Sequence, residues 1–332
     1  MRKIKDTDYL YISTRLKVLE KNMLSTDKYI RMISAKSTDD ALKVLIENGW
    51  KGISDNVAFS IDDIISKRRK DVLDLLYTYS PDRRIIDFFR IKYDYHNIKV
   101  FVKSQALGIS ADDAYSEAGT IPSKVLKNAL RDKTEGVLPE AMFNAASEAE
   151  DILARTNDPQ LSDIIIDNAQ TKHMQSIASE TKSEFLKGYS DLYTDLCNLR
   201  VVIRGAASGK DRNYRIKAFS SGGSVDVTPL INDDSPENIE KVFLRTPCAA
   251  AATTGLNAIN GESAMSDFDM ACDRAVMDYI NKAKLIPFGE SQIVSYLIKS
   301  ENEQTSVRLI LTCRALGMKE EEIMERLRKN DA

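Results

Sequence analysis

Glycine and proline are scarce in this chain, 14 and 8 among 332 residues. The prolines sit beside expected turns or helix starts, as in "SPDRR" at Pro81, "NDPQL" at Pro159, "DSPEN" at Pro236 and "IPFGE" at Pro287. Between these breaks the chain reads as long amphipathic stretches, and few segments alternate with the period of two that a half-buried strand shows. An excess of one charge is also missing. The 47 Lys and Arg against 50 Asp and Glu leave a formal net charge of -3, which argues against a general nucleic-acid binder. Metal-ligand spacing is absent too. Cys197, Cys248, Cys272 and Cys313 form no C-x-x-C pair, and His96 and His173 join no cluster, so no metal site and no cofactor is expected. The cysteines read as reduced and buried, as in an intracellular protein. Finally, long apolar runs are lacking. "VRLILTCRALG" and "PCAAAATTGL" are far short of the about 20 residues a spanning helix needs, and "MRKIKDTDYLYISTR" has no secretory h-region.

What remains is an all-α pattern. A first helix is expected from Tyr9 to about Leu24, a short one after Ser25 or Thr26, one from Ser37 to Gly49, and one from Ser60. Ser80 as N-cap and Pro81 at the first helical position open a helix that should run unbroken to Leu107, about 40 Å at 1.5 Å per residue, with Gly108 at its end. The same grammar returns after Pro159 and again after Pro287.

The ends of three long helices align without gaps: "YDYHNIKVFVKSQALG" to Gly108, "TDLCNLRVVIRGAASG" to Gly209, and "NEQTSVRLILTCRALG" to Gly317. Asp94, Asp195 and Glu303 share one position. Asn97, Asn198 and Ser306 share another, and Lys99, Arg200 and Arg308 a third. The periods of 101 and 108 residues are those of a domain, not of a solenoid unit. We therefore expect three helical repeats at 1–116, 117–220 and 221–332, with the N-terminal helix able to pack on the third. Downstream of the helices, Gly119, Ile121 and Leu126 resemble Gly223, Val225 and Leu230, while the third repeat ends in one terminal helix.

A catalytic constellation is usually asymmetric and occurs once. An acid, an amide and a base recurring together suggest shared architecture or a shared docking surface. Asp94 and Asn97, three apart, lie on one helix face and Lys99 points off it. Two readings stay open: the acid and amide tie neighbouring helices together with the base solvated, or Asp94, Asn97, Lys99, Asp195, Asn198, Arg200, Glu303 and Arg308 line a surface that receives a partner. His96 has no accompanying nucleophile set and reads as a partly exposed helix residue.

Other motifs offer rival chemistry. "GAASGKD" (Gly205 to Asp211) has three residues between its glycines where a P-loop needs four, lacks the Ser or Thr after Lys210, and follows a helix. The pairs Asp39-Asp40, Asp62-Asp63, Asp112-Asp113 and Asp233-Asp234 could suggest an all-α Mg²⁺-dependent diphosphate enzyme, yet most fall at expected helix starts, where acids favour the dipole. Lys67 to Lys70, "KRRK", reads as a solvated face that could also touch an acidic partner or headgroup. A generic helical scaffold would show the same amphipathic stretches.

The chain resembles the C subunit of the archaeal and bacterial V/A-type rotary ATPases, and is similar to the d subunit of the vacuolar enzyme. Tyr11, Arg15, Leu19-Glu20 and Leu24 match the opening pattern, and "YDYHNIKVFVKS" the aromatic-Asp-x-x-Asn-x-Lys signature. Tyr296, Lys299, Glu301, Asn302, Glu303, Arg308 and Gly317 match the C-terminal segment. The resemblance spans nearly the whole chain and is loosest at 110–155 and 210–265. It implies a non-catalytic rotor part: a funnel of three helical domains about a pseudo-threefold axis. On the cytoplasmic face of the membrane, such a part seats a central shaft on a ring of proteolipid subunits and couples ATP hydrolysis or synthesis to proton or sodium transport. Lys99, Arg200 and Arg308 could then ring the opening, imperfectly, since the third repeat has Ser306 for Asn and Glu303 for Asp.

Overall fold

The structure, a computed structural model, describes residues 4–51, 53 and 60–331, and among them are sixteen α-helices and no strand. In chain order they are α1 (Leu10–Glu20), α2 (Thr26–Ile33), α3 (Thr38–Glu47), α4 (Ile61–Tyr79), α5 (Arg84–Leu107), α6 (Ser123–Arg131), α7 (Glu140–Thr156) and α8 (Pro159–Thr181). Then follow α9 (Glu184–Ala207), α10 (Arg212–Ala218), α11 (Pro229–Asn232), α12 (Pro236–Phe243), α13 (Ala249–Ile259), α14 (Met265–Asn281), α15 (Glu290–Ala315) and α16 (Glu320–Asp331).

Local chemistry sets many of the starts. The Ser37 hydroxyl accepts from the Asp40 amide, Ser60 and Asp63 form a reciprocal capping box, and Ser183 accepts from the Leu186 amide. Each satisfies amides that have no partner within their own helix. At α8 the Asp158 carboxylate accepts from the Gln160 and Leu161 amides, with Pro159 at the first helical position.

The long helix α5 begins later than its sequence suggests. Ser80 is extended and ends α4, and its hydroxyl donates to the Asp82 carbonyl at 2.7 Å. Asp82 then takes the capping role, accepting from the Arg84 amide at 3.1 Å. Pro81 therefore lies in the link between helices, and α5 has 24 residues, about 36 Å. The first helix is also shorter than expected, ending at Glu20.

Two compact units divide the chain: Met1–Ile86 with Met277–Ala332, and Asp87–Val276. In the first, α4 runs along α15, which also touches α1, α2 and α3, while α16 lies against α15 and α2. Its core is apolar and continuous, with Met32, Leu45, Ile65, Val307, Ile310 and Ile323 all essentially inaccessible. In the second, α8 packs between α7 and α9, and α13 covers another side of α9. Leu199, Val202, Ile203 and Phe268 are buried there.

The helix ends at the three aligned glycines are alike. Gly108, Gly209 and Gly317 have φ of 63°, 63° and 70°, the left-handed conformation that costs an L-residue about 1–2 kcal/mol. In each case the next amide donates back to the last turn: Ile109 to the Ser104 carbonyl (3.1 Å), Lys210 to Gly205 (2.9 Å), Met318 to Cys313 (3.1 Å). This is the Schellman arrangement. Gly209→Ala is expected to destabilise the protein by about 1 kcal/mol, read from the urea midpoint; an unchanged midpoint would refute the strain argument.

Candidate functional site

The aligned polar residues of α5 and α9 face inward. Asp94, Asn97, Asp195 and Asn198 are at most 1 % exposed. A carboxylate so buried must have its oxygens occupied by donors, and the loop that follows each long helix supplies them. Asp94 accepts from the Thr120 amide (2.9 Å), the Thr120 hydroxyl (2.7 Å) and the Ile121 amide (3.1 Å). Asp195 accepts from the Ser224 amide (3.2 Å), the Ser224 hydroxyl (2.5 Å) and the Val225 amide (3.0 Å).

One turn further along, the asparagines clamp backbone from both sides. Asn97 donates to the Ser116 carbonyl and accepts from the Ser116 amide, both at 2.8 Å. Asn198 does the same at Ser220, at 2.9 and 2.8 Å. Each side-chain amide thus stands in for a peptide group, with both its donor and its acceptor used.

Close approach requires a glycine. A Cβ on Gly119 would lie 2.1 Å from Asp94 Oδ1, and one on Gly223 would lie 2.1 Å from Asp195 Oδ1. The latch therefore has a sequence form, Ser-x-x-Gly-Ser/Thr-Ile/Val, seen at Ser116–Ile121 and Ser220–Val225. The alignment of the repeats pairs its Gly and Ile/Val positions but does not connect them to the acids. Burial pushes the pKa of Asp94 and Asp195 up, and the hydrogen bonds from Thr120, Ile121, Ser224 and Val225 oppose it.

The third latch is completed from the other end of the chain. Glu303, 4 % exposed, accepts from the Leu24 amide at 2.8 Å and from the Arg68 guanidinium at 3.0 Å. Leu24 precedes α2 as the residues after Asp94 and Asp195 precede α6 and α11. Residues near the N-terminus thus serve Glu303 as the downstream loops serve Asp94 and Asp195. Glutamate in place of aspartate reaches one methylene further. Arg68, from the middle of "KRRK", is drawn inward by that second acceptor and lies over the Trp50 ring at 5.1 Å. Its neighbours Lys67 and Lys70 stay at the surface, paired with Asp71 and Asp74.

The bases form the outer side of the same junction. Lys99 pairs with Asp167 at 2.6 Å and Lys103 with Asp163 at 2.7 Å, joining α5 to α8. Arg200 pairs with Asp273 at 3.4 Å and Arg204 with Asp269 at 2.7 Å, joining α9 to α14. Arg308 pairs with Asp62, joining α15 to α4. In each case the acid sits on the helix that leads into one of the long helices. Lys99 and Arg200 keep 25 % and 28 % of their side-chain surface exposed, and Arg308 44 %.

The remaining sequence candidates have local roles. His96 is exposed, with Nε2 3.0 Å from the Ala114 carbonyl. His173 is half-buried edge-on to Tyr95, whose hydroxyl is 3.3 Å from Nδ1. "GAASGKD" closes α9 and opens α10, where the Asp211 carboxylate accepts from the Tyr214 amide at 2.9 Å. Among the acid pairs, Asp63 closes the capping box of α4, Asp40 accepts from the Ser37 hydroxyl and Lys43, Asp112 pairs with Lys127, Asp233 accepts from the Ser235 amide, and Asp234 holds Arg215. No group of three or more His, Cys, Asp or Glu capable of holding a metal ion occurs among the described residues.

The arrangement is a fastener: the acids and amides of the latches are spent on loop backbone, on the Thr120 and Ser224 hydroxyls and on Arg68. Asn97→Ala should cost about 2 kcal/mol by emptying the space of a buried side chain and leaving the half-buried Ser116 amide and carbonyl without their partner. Lys99→Ala should cost under about 1 kcal/mol, as partly exposed ion pairs do. Chemical unfolding of the two variants checks the order, and equal losses would contradict it.

No helix among the described residues is long and apolar enough to cross a membrane. The sequence profile of the ATP synthase (C/AC39) subunit family matches residues 12–326. Over 331 residues the chain is 20 % identical to the C subunit of the V-type sodium ATPase of Enterococcus hirae, covering 97 % of this chain and 98 % of that one. It is 21 % identical over 338 residues to the C subunit of the A-type ATP synthase of Methanocaldococcus jannaschii, covering 95 % and 85 %. The corresponding protein of Pyrococcus furiosus is also 21 % identical over 338 residues, covering 97 % and 90 %. A match of this extent, on an all-helical chain whose buried acids serve as fasteners, shows that the protein belongs to the ATP synthase (C/AC39) subunit family, a structural and non-catalytic part of V/A-type ATPases.

Proposed function

We propose that this chain is the central-stalk rotor part that seats a central shaft on a membrane proteolipid ring, at the cytoplasmic face. It would couple ATP hydrolysis or synthesis to proton or sodium transport without chemistry of its own. In this reading the chain is built of three helical repeats, 1–116, 117–220 and 221–332, the N-terminal segment completing the third.

The observation that supports it best is the thrice-built latch. A part that passes torque must not flex where its helices meet. Long helices joined by buried, hydrogen-bonded polar contacts resist such bending, because each opening strands charged or backbone groups away from water. Asp94, Asn97, Asp195, Asn198 and Glu303 then hold the wall of a socket. Lys99, Arg200 and Arg308, less buried, are its candidate contacts with the shaft or ring, in the manner of a polar interface rim.

Affinity isolation of the tagged chain from detergent-solubilised membranes tests the assignment. The shaft and proteolipid subunits should be recovered with it, and recovery of neither would refute it. The combined variant Lys99→Gln, Arg200→Gln and Arg308→Gln should fold but recover at least several-fold less of one of these partners; undiminished recovery would remove the three bases from the interface.

A further inference from the structure

Where α9 ends and α10 begins lies a cleft of about 470 Å³. Several elements wall it. Helix α9 contributes Arg200, Arg204 and Ser208, the link after it Lys210, and α10 Tyr214, while the first turns of α8 and α14 bring Gln160 and Met265. Three of these side chains are cations, and no carboxylate lines the cleft.

The cations are held in place with donors to spare. Arg204 meets Asp269 through Nη2 alone, at 2.7 and 3.0 Å. Arg200 reaches Asp273 through Nη2 at 3.4 Å, and its Nε is 3.9 Å from Asp269. A guanidinium carries five N–H donors in a rigid fork. Each aspartate therefore fixes an arginine and leaves N–H groups that have no hydrogen bond among the described residues. Lys210 pairs with no carboxylate among the described residues. Its ammonium lies 5.4 Å from the centroid of the Tyr214 ring, and that ring packs on Gly205 of α9, 3.4 Å from where a Cβ would stand. The neighbouring Asp211 is turned to the start of α10, where it accepts from the Tyr214 amide. Two aspartates thus offset two of the three charges, and that of Lys210 is left over.

The helix junction does not itself demand this lining. The end of α5 has a corresponding cleft of about 560 Å³, where Val102, Lys103, Ala106, Leu107 and Pro159 stand. In the alignment of the helix ends Lys103 matches Arg204, but Leu107 and Ile109 stand where the second cleft has Ser208 and Lys210. One junction is lined mainly by apolar groups and the other by cations and a hydroxyl, on the same helical frame. Arg200 and Arg204 are one turn apart on one helix, so two forks stand in a row, and each suits the oxygens of a phosphate. The geometry points to a binding site in the α9–α10 cleft for a ligand carrying two neighbouring phosphates, held by Arg200, Arg204 and Lys210.

Isothermal titration calorimetry of the full chain at low salt tests it. Pyrophosphate should bind at one per chain, about tenfold more tightly than sulfate, as bidentate charge-assisted contacts to two groups require. Lys210→Gln removes an unpaired surface cation and should weaken binding about tenfold while melting stays unchanged. Arg204→Gln should weaken it too, whereas Lys103→Gln, at the matching position of the first cleft, should not. The carrier is separated by two further titrations, with ADP and with phosphatidylcholine vesicles containing phosphatidylinositol 4,5-bisphosphate. Lys210-dependent binding of ADP assigns a soluble ligand, and that of the vesicles a lipid headgroup. No pyrophosphate binding, equal affinity for sulfate, several sites per chain, or binding that Lys210→Gln leaves unchanged would overturn the inference. Lys210 and Arg204 are not among the three bases given to the shaft or ring, and the purified chain suffices, so this result and the rotor assignment can fail separately.

Discussion

The structure depends on carboxylates that are buried inside long helices and must be satisfied there. An aspartate with no solvent access is expensive unless donors reach it from several directions. A helix cannot supply those donors to its own mid-length side chain, since its amides are already engaged. Another piece of backbone has to come to it, and the three long helices α5, α9 and α15 each receive one. Once the acid is in place, the path of the following loop is fixed by hydrogen bonds. The glycines at 119 and 223 follow from the distance, because no Cβ fits between loop and carboxylate.

The outer ion pairs add register to this. They join each long helix to the helix that leads into one of the others, by way of Asp167, Asp273 and Asp62. Their individual contributions are small because they are partly solvated. Their value is directional: a base offset from the latch on the same helix fixes which turn of the neighbouring helix lies alongside. Buried latch and exposed pair together define a junction that can be repeated with different surrounding sequence, and that is how α5, α9 and α15 differ in nearly all other residues yet meet their neighbours alike.

Much of this was legible from the sequence. The all-α class followed from helical periodicity and sparse breakers. The three left-handed glycines and the aligned acid, amide and base came from a gapless comparison, because those residues sit at fixed helical offsets. Two features were not legible. Leu24 and Glu303 meet across 279 positions, and no local pattern marks an amide as a latch donor. Arg68 lies in a run of four bases that composition alone assigns to solvent, yet Glu303 draws it inward. The start of α5 was misplaced for a related reason: Ser80 and Pro81 form a good start signal, but Asp82 lies closer to Arg84 and competes for the cap successfully. Of the three bases, the sequence located the positions and left open their partners, which lie on α8, α14 and α4.

Amide hydrogen exchange at the latch donors tests the central claim directly. Thr120, Ser224 and Leu24 lie outside helices, where amides ordinarily exchange through small local openings. If the buried acids hold the junctions closed, these three amides should exchange as slowly as those in the middle of α5, α9 and α15. Exchange as fast as that of exposed loop amides would contradict the account, because it would show the latches opening without the rest of the fold.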